Sequence, residues 1–316
     1  MALGLVMLSA CGEIGPVKSE PDDSAVAGQT APAEDARAEE DAAISNALEA
    51  ETEGTTEDYT EEQTEDGKIK APTGSDIAQI VAFYNRRANA VKAAGQITVK
   101  KHDFREGDMQ VPAVLKNLTN IESFDPDLDK TTTETFVNGT GTNRPSRKLN
   151  DFMPVNGTPY VSRLQSADVQ KASCTQQKDG WVVRINLKNE TLTLDALRKN
   201  AGGIKNISEV DHNVMVNGVL LKTRYGSCMD LGFSDLFLGG TDASQRIKFD
   251  LRTVDATANL SEGKIVAHVD FDGNLTSLVL SYKNNISITY MAMKIKINAL
   301  AKQEYQFAWP EKTMGG

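Results

Sequence analysis

Apolar residues recur at helical spacing near the front of the folded part of the chain. Ile77, Ile80, Val81, Tyr84, Ala88 and Val91 fall on one face, while Arg86, Arg87 and Lys92 lie elsewhere. The pattern predicts an amphipathic helix. Ser75 or Thr73 is placed to cap it, Asp76 favours its positive end, and Gly95 stops it. A second helix is predicted from Pro112, as first helical residue, through Val114, Leu115, Leu118 and Ile121. A third runs from Leu192 to Asn200 and ends at Gly202-Gly203.

The rest of the body reads as strands. Gln96 to Phe104 is the first. Ala167 to Gln176 and Trp181 to Lys188 flank Lys178-Asp179-Gly180, and Val214 to Val216 and Val219 to Arg224 flank Asn217-Gly218; both are hairpin signals. A series follows: Ile247 to Leu260, Lys264 to Asp270, Leu275 to Lys283, Ile286 to Ile297 and Ala299 to Trp309. Turns are expected between them at Glu262-Gly263, Asp272-Gly273 and Asn284-Asn285. In Met293-Lys294-Ile295-Lys296-Ile297 apolar residues alternate with lysine, so one face packs and the other meets water. Residues 129–166, with Thr131-Thr132-Thr133, Asn138-Gly139 and Asn156-Gly157-Thr158-Pro159, read as turns and loop, either a flexible flap over the sheet or a decorated connection. Antiparallel strands with segregated helices give an α+β fold. The expected form is a long, curved, half-barrel-like antiparallel sheet with the N-terminal and inserted helices on its concave face.

Charge divides the chain into two parts. Residues 12–70 hold 18 acidic and 4 basic side chains and a single aromatic, Tyr59. So little apolar surface under a large charge of one sign cannot offset the entropy of ordering the chain. Residues 11–70 are therefore expected to be an acidic, disordered linker that holds the body on the order of 40 Å from its point of attachment. The net charge of the whole is −10, yet residues 71–316 carry 30 basic and 26 acidic side chains. The acidic character belongs to the linker, and the body, read as one globular domain over 71–316, lacks the strongly basic footprint of a nucleic-acid binder.

The first eleven residues give the linker a purpose. Met1 to Met7 are apolar or small and uncharged, and Leu8-Ser9-Ala10-Cys11-Gly12 follows. This layout is that of the end of an export signal. It resembles the lipobox of bacterial lipoproteins, which implies that residues 1–10 are a signal remnant and that Cys11 carries a diacylglycerol. A charged leading segment is not present, so the chain is expected to begin inside a longer precursor. More than one acyl chain makes such an anchor stable, each buried methylene contributing about 0.8 kcal/mol. No stretch of 18 apolar residues is found, so attachment is expected through the lipid.

The search for chemistry is mostly negative. His102, His212 and His268 are scattered without ligand spacing, so no metal is expected. Asp125-Pro126-Asp127-Leu128-Asp129 alternates oxygens like a calcium loop but lacks its central glycine and closing glutamate, and it reads as a solvated turn. The serine elbow and glycine-rich phosphate loops are missing. Eight Asn-x-Ser/Thr sequences reflect a composition rich in strand-end polar residues. Cys174 and Cys228 either form one disulfide, worth roughly 3–4 kcal/mol by loop entropy, or lie as two buried thiols. No catalytic residue and no cofactor is expected.

Two segments carry a further likeness. Ile80-Val81-Ala82-Phe83-Tyr84-Asn85 after an acidic linker, and the hairpin run from Gly263 through Asp272-Gly273 to Leu278, are similar to uncharacterised lipoproteins of Gram-positive bacteria. At fold level the pattern resembles half-barrel carriers of lipids and lipoproteins. The likeness implies export, attachment to the outer face of the bacterial membrane, a monomer, and an apolar small molecule or lipid as ligand. Three functions from different classes fit the chain: a non-catalytic lipoprotein binding a hydrophobic ligand, a structural or interaction protein with a filled core, and an envelope hydrolase. For the first, the candidate cleft residues are Ile80, Tyr84, Val91, Leu278, Leu280, Ile288, Ile295 and Ile297. An empty apolar cavity favours the carrier and a packed interior the interaction protein.

Overall fold

The computed structural model describes residues 69–72, 74–116, 127–196, 222–231, 254–290 and 292–310, all within the unit Ala47–Gly316. Cys11, the acidic linker before Ile69, the Asn217-Gly218 hairpin and the far ends of the second and third predicted helices lie outside the described residues.

Helix α1 spans Ile77–Asn89. Its cap is Asp76 rather than Ser75 or Thr73. The Asp76 carboxylate accepts from the backbone N–H of Ala78 and Gln79 at 3.0 and 3.2 Å, so one side chain satisfies two of the orphan donors of the first turn. The helix ends at Asn89 with Ala90 as C-cap, ahead of the predicted stop at Gly95. The apolar stripe behaves as the spacing predicts: Ile80, Val81, Phe83, Tyr84 and Ala88 are buried. Among the described residues, helix α2 covers Ala113–Lys116, α3 covers Leu149–Phe152, and residues 194–196 are also helical.

Among the described residues, everything else of length is antiparallel sheet. The strands are β1 (Gln96–Gln110), β2 (Leu128–Val137), β3 (Thr140–Gly141), β4 (Val169–Gln177), β5 (Gly180–Leu187), β6 (Glu190–Thr193), β7 (Val254–Asp270), β8 (Leu275–Tyr290) and β9 (Met293–Ala308). Their order among the described residues is β3-β2-β1-β9-β8-β7-β5-β4, with β6 also paired to β7, and the sheet does not close. The fold is α+β, and mostly β.

Several local expectations are corrected. Asn284-Asn285 is not a turn: β8 runs through it, and β8 and β9 pair as far as Tyr290–Met293, with Ala292 at φ 64° between them. Glu262-Gly263 is not a turn but an irregularity inside one strand, with the register shifting between Ser261 and Lys264 and Glu262 at φ 54°. The shift admits Tyr225, whose ring sits where a Gly263 Cβ would lie, 2.7 Å from its nearest atom. Gly263 N–H donates to the Tyr225 hydroxyl at 3.1 Å. Thr131-Thr132-Thr133 lies in β2, paired with β1, and Leu192 lies in β6 opposite Ala258, so the third predicted helix starts two residues later, with helix at residues 194–196. Turns at Asn138-Gly139 and Asp272-Gly273 form as expected, with positive φ at Asn138, Gly139 and Gly273.

Register puts one face of the sheet in the core. Directly opposed residues share a face, so the pairs Leu278–Tyr305, Ile286–Ile297 and Ile288–Ile295 form apolar rows between β8 and β9. Ile265, Ala267 and Val269 of β7 and Val183 and Ile185 of β5 continue the layer, and the α1 stripe joins it in one cluster. Ile69, which the charge pattern put in the linker, belongs to it with Ala71: both are buried, and Ile69 N–H donates to Phe271 O at 3.2 Å.

Candidate functional site

A polar stripe on α1 fixes the segment that crosses it. Asn85 Nδ2 donates to Leu164 O at 2.8 Å. Asn89 makes three bonds to Val161 and Ser162: its Oδ1 accepts from both N–H groups at 2.7 and 2.9 Å, and its Nδ2 donates to Ser162 O at 2.9 Å. Beyond the helix end, Lys92 Nζ donates to the carbonyls of Asn150, Val155 and Thr158 at 3.1, 2.5 and 2.7 Å. Positions 85, 89 and 92 are spaced for one helical face, so this clamp follows from the same periodicity as the apolar stripe. Burial pulls the Lys92 ammonium down to about 7, against Asp151, which favours its charged form. Beside this clamp is an open surface depression of about 460 Å³ whose walls include Lys92, Gly95, Asn138 and Lys148.

None of the eight predicted cleft residues lines that depression. The structure does bring them together, but as core. Ile80, Tyr84, Val91, Leu278, Ile288 and Ile295 show no exposed surface, Leu280 shows 1% and Ile297 2%. A residue bordering a void large enough for a water molecule would show surface, so these side chains touch one another rather than an empty cleft. Cys174 and Cys228 are free, buried thiols, and the disulfide reading is not met. Burial pushes the Cys174 thiol up to about 11 and the Cys228 thiol well above its ordinary value, so both stay protonated and unreactive at neutral pH.

The inner face also carries a polar seam that pattern reading passed over. Lys101 of β1 lies opposite Tyr305 of β9, and Asp103 opposite Gln303. Lys101 Nζ pairs with Asp103 Oδ1 at 3.0 Å and sits 5.7 Å from the centre of the Tyr305 ring. Gln303 Nε2 reaches the same Asp103 oxygen at 3.5 Å. Burial alone would lower the Lys101 ammonium, but Tyr305, Asp103 and Asp230 together raise it above its ordinary value. Burial likewise raises the phenols of Tyr84, Tyr282 and Tyr305, so none serves as a base near neutrality. Gln303 Oε1 and Asn284 Oδ1 are buried without a hydrogen-bond partner. The signal available in sequence was the polar run Lys100-Lys101-His102-Asp103 inside a strand, which places charge on both faces.

Two smaller networks hold the margins. Glu190 accepts from Arg224 N–H and Tyr225 N–H, both at 3.0 Å, and Arg224 Nε pairs with Asp168 Oδ1 at 3.1 Å. Buried Glu134 accepts from Asn143 N–H at 2.8 Å and faces Arg147 at 3.6 Å. These pin segments 222–231 and 141–147 to the sheet. Among the described residues there is no group of three or more His, Cys, Asp or Glu poised around one metal position, and no helix long and apolar enough to cross a membrane.

A scan against protein-family models matches none, and a search of curated proteins returns no relative.

Proposed function

We propose that the chain is an exported lipoprotein, moored by a diacylglycerol on Cys11 to the outer face of a bacterial membrane, whose body acts as a non-catalytic interaction module with a filled core. The packing of the eight candidate cleft residues carries this choice over the lipid carrier: each has at most 2% of its surface exposed, which leaves no room for an acyl chain beside them. The acidic run from residue 12 to 70 supports a tether, and the docking of Ile69 and Ala71 into the core supports a firm hand-over from tether to body. In this reading α1 lies in the concavity of a curved sheet and fills it, where a carrier would leave the space open. The body is a monomer that calls for no cofactor and no nucleic acid.

Two measurements test the proposal. Radioactive fatty acid fed to the host is expected to label the chain, and Cys11→Ala to abolish both label and membrane retention; an unlabelled chain sinks the mooring. Native mass spectrometry of the body purified from its host is expected to give the bare protein mass. A co-purifying hydrophobic molecule overturns the filled-core reading and restores the carrier.

A further inference from the structure

We propose that His102 is a proton-operated clasp that holds the edge strand β2 on the sheet, so that this edge loosens as pH rises. His102 stands on the outer face of β1, in register with Thr131 of β2 and Glu304 of β9. Its Nε2 is 2.9 Å from Asp129 Oδ1, and its Nδ1 is 3.1 Å from Glu304 Oε2. A carboxylate only accepts hydrogen bonds, so contacts at both nitrogens require both to carry hydrogen. That is the imidazolium. The neutral ring keeps one N–H and turns the other lone pair against a carboxylate, losing one of the two links.

Other charges face the ring on the same surface. Lys100 and Glu106 lie on β1, and Lys302 lies on β9 with its Nζ 2.5 Å from Glu304 Oε1. The Phe104 ring is 6.5 Å away. Lys100 and Lys302 oppose protonation, while Glu304, Asp129 and Glu106 favour it. The hydrogen bonds to Glu304 and then Asp129 prevail and raise the imidazole above its ordinary 6.5.

The position of the clasp gives it leverage. On its other side β2 pairs, among the described residues, with β3 at Phe136 and Val137, so β3 does not reach the half that contains Asp129. Ladder bonds to β1 run from Gln96 to Arg105, and the clasp reaches across their distal part. Because the folded value exceeds the unfolded one, its contribution is complete below pH 6.5 and is lost as pH rises through the folded value.

Hydrogen exchange of the full chain, corrected for the intrinsic pH dependence, tests this. Between pH 6 and pH 9 the protection of residues 128–133 is expected to fall about three- to tenfold, while that of β8 holds. The clasp adds to an exposed pair, whose energies are modest. In His102→Gln, which cannot carry the charge, protection of β2 is expected to be low and flat with pH, and Asp129→Asn to halve the pH effect or more. Titration of His102 at or below 6.5 by NMR overturns the proposal. So does an equal pH response of β2 in the wild type and His102→Gln.

Discussion

The clamp under α1 and the clasp on the outer face both tie distant segments together with side-chain hydrogen bonds, and they do so on opposite physical terms. Asn85, Asn89 and Lys92 bond backbone groups of residues 150–164 in a half-buried setting. His102 bonds two carboxylates at the surface, one of which, Asp129, is 76% exposed. Loss of a clamp residue strands backbone donors and acceptors away from water, at about 1–3 kcal/mol for each buried group. Loss of the clasp returns its charges to solvent, where an ion pair is worth about 0–1 kcal/mol. The two also respond to pH with opposite sign. A base whose folded pKa lies below its unfolded one makes stability rise with pH, for Lys92 between about 7 and its ordinary 10.5. His102 makes stability fall as pH rises above 6.5.

The largest effect is expected in the core that the clamp closes. Leu278→Ala or Ile288→Ala should cost about 3–4 kcal/mol in urea unfolding, because neither site has a void to relax into. A cost below about 1 kcal/mol would mean an open interior and break the filled-core reading. Next comes Asn89→Ala, which strands the N–H groups of Val161 and Ser162 and the Ser162 carbonyl; about 3 kcal/mol is expected in the same assay. Lys92→Met should cost about 2 kcal/mol by leaving three carbonyls without their donor. It should also flatten the rise of stability between pH 7 and 10.5, and a variant that keeps the rise refutes the assignment of that slope to Lys92. The smallest effect belongs to the clasp: Asp129→Asn should change global stability by about half a kcal/mol or less, and 1 M salt should shrink the difference.

How far the fold was legible differs from place to place for physical reasons. The α1 stripe and the alternation in Met293–Ile297 are local patterns set by side-chain period, and they hold. Asn284-Asn285 misled because its composition signals a turn, while pairing with Leu260 and Ala299 on either side carries the strand through. Glu262-Gly263 misled in the same way; the glycine serves the close approach of Tyr225, a contact 38 residues away in sequence. The eight candidate cleft residues fall in one buried apolar cluster, and periodicity does not tell a filled surface from an empty one. For the polar seam and the His102 clasp the run Lys100–Asp103 marked charge on both faces of a strand, but not the partners on β9: those lie some 200 residues away, and only register makes them neighbours.

By itself the sequence determined which segments bury a face, how charge divides the chain between an acidic run and a balanced body, and the order of residues around Cys11. Those are properties of short windows: period, charge density and residue order. Tertiary structure alone decided that β8 and β9 run unbroken through their polar interruptions and that Cys174 and Cys228 stay apart. It also decided that the apolar faces meet with nothing between them, and that one histidine stands between two carboxylates. These follow from strand pairing and close packing, which couple residues by distance in space and leave no trace in local composition.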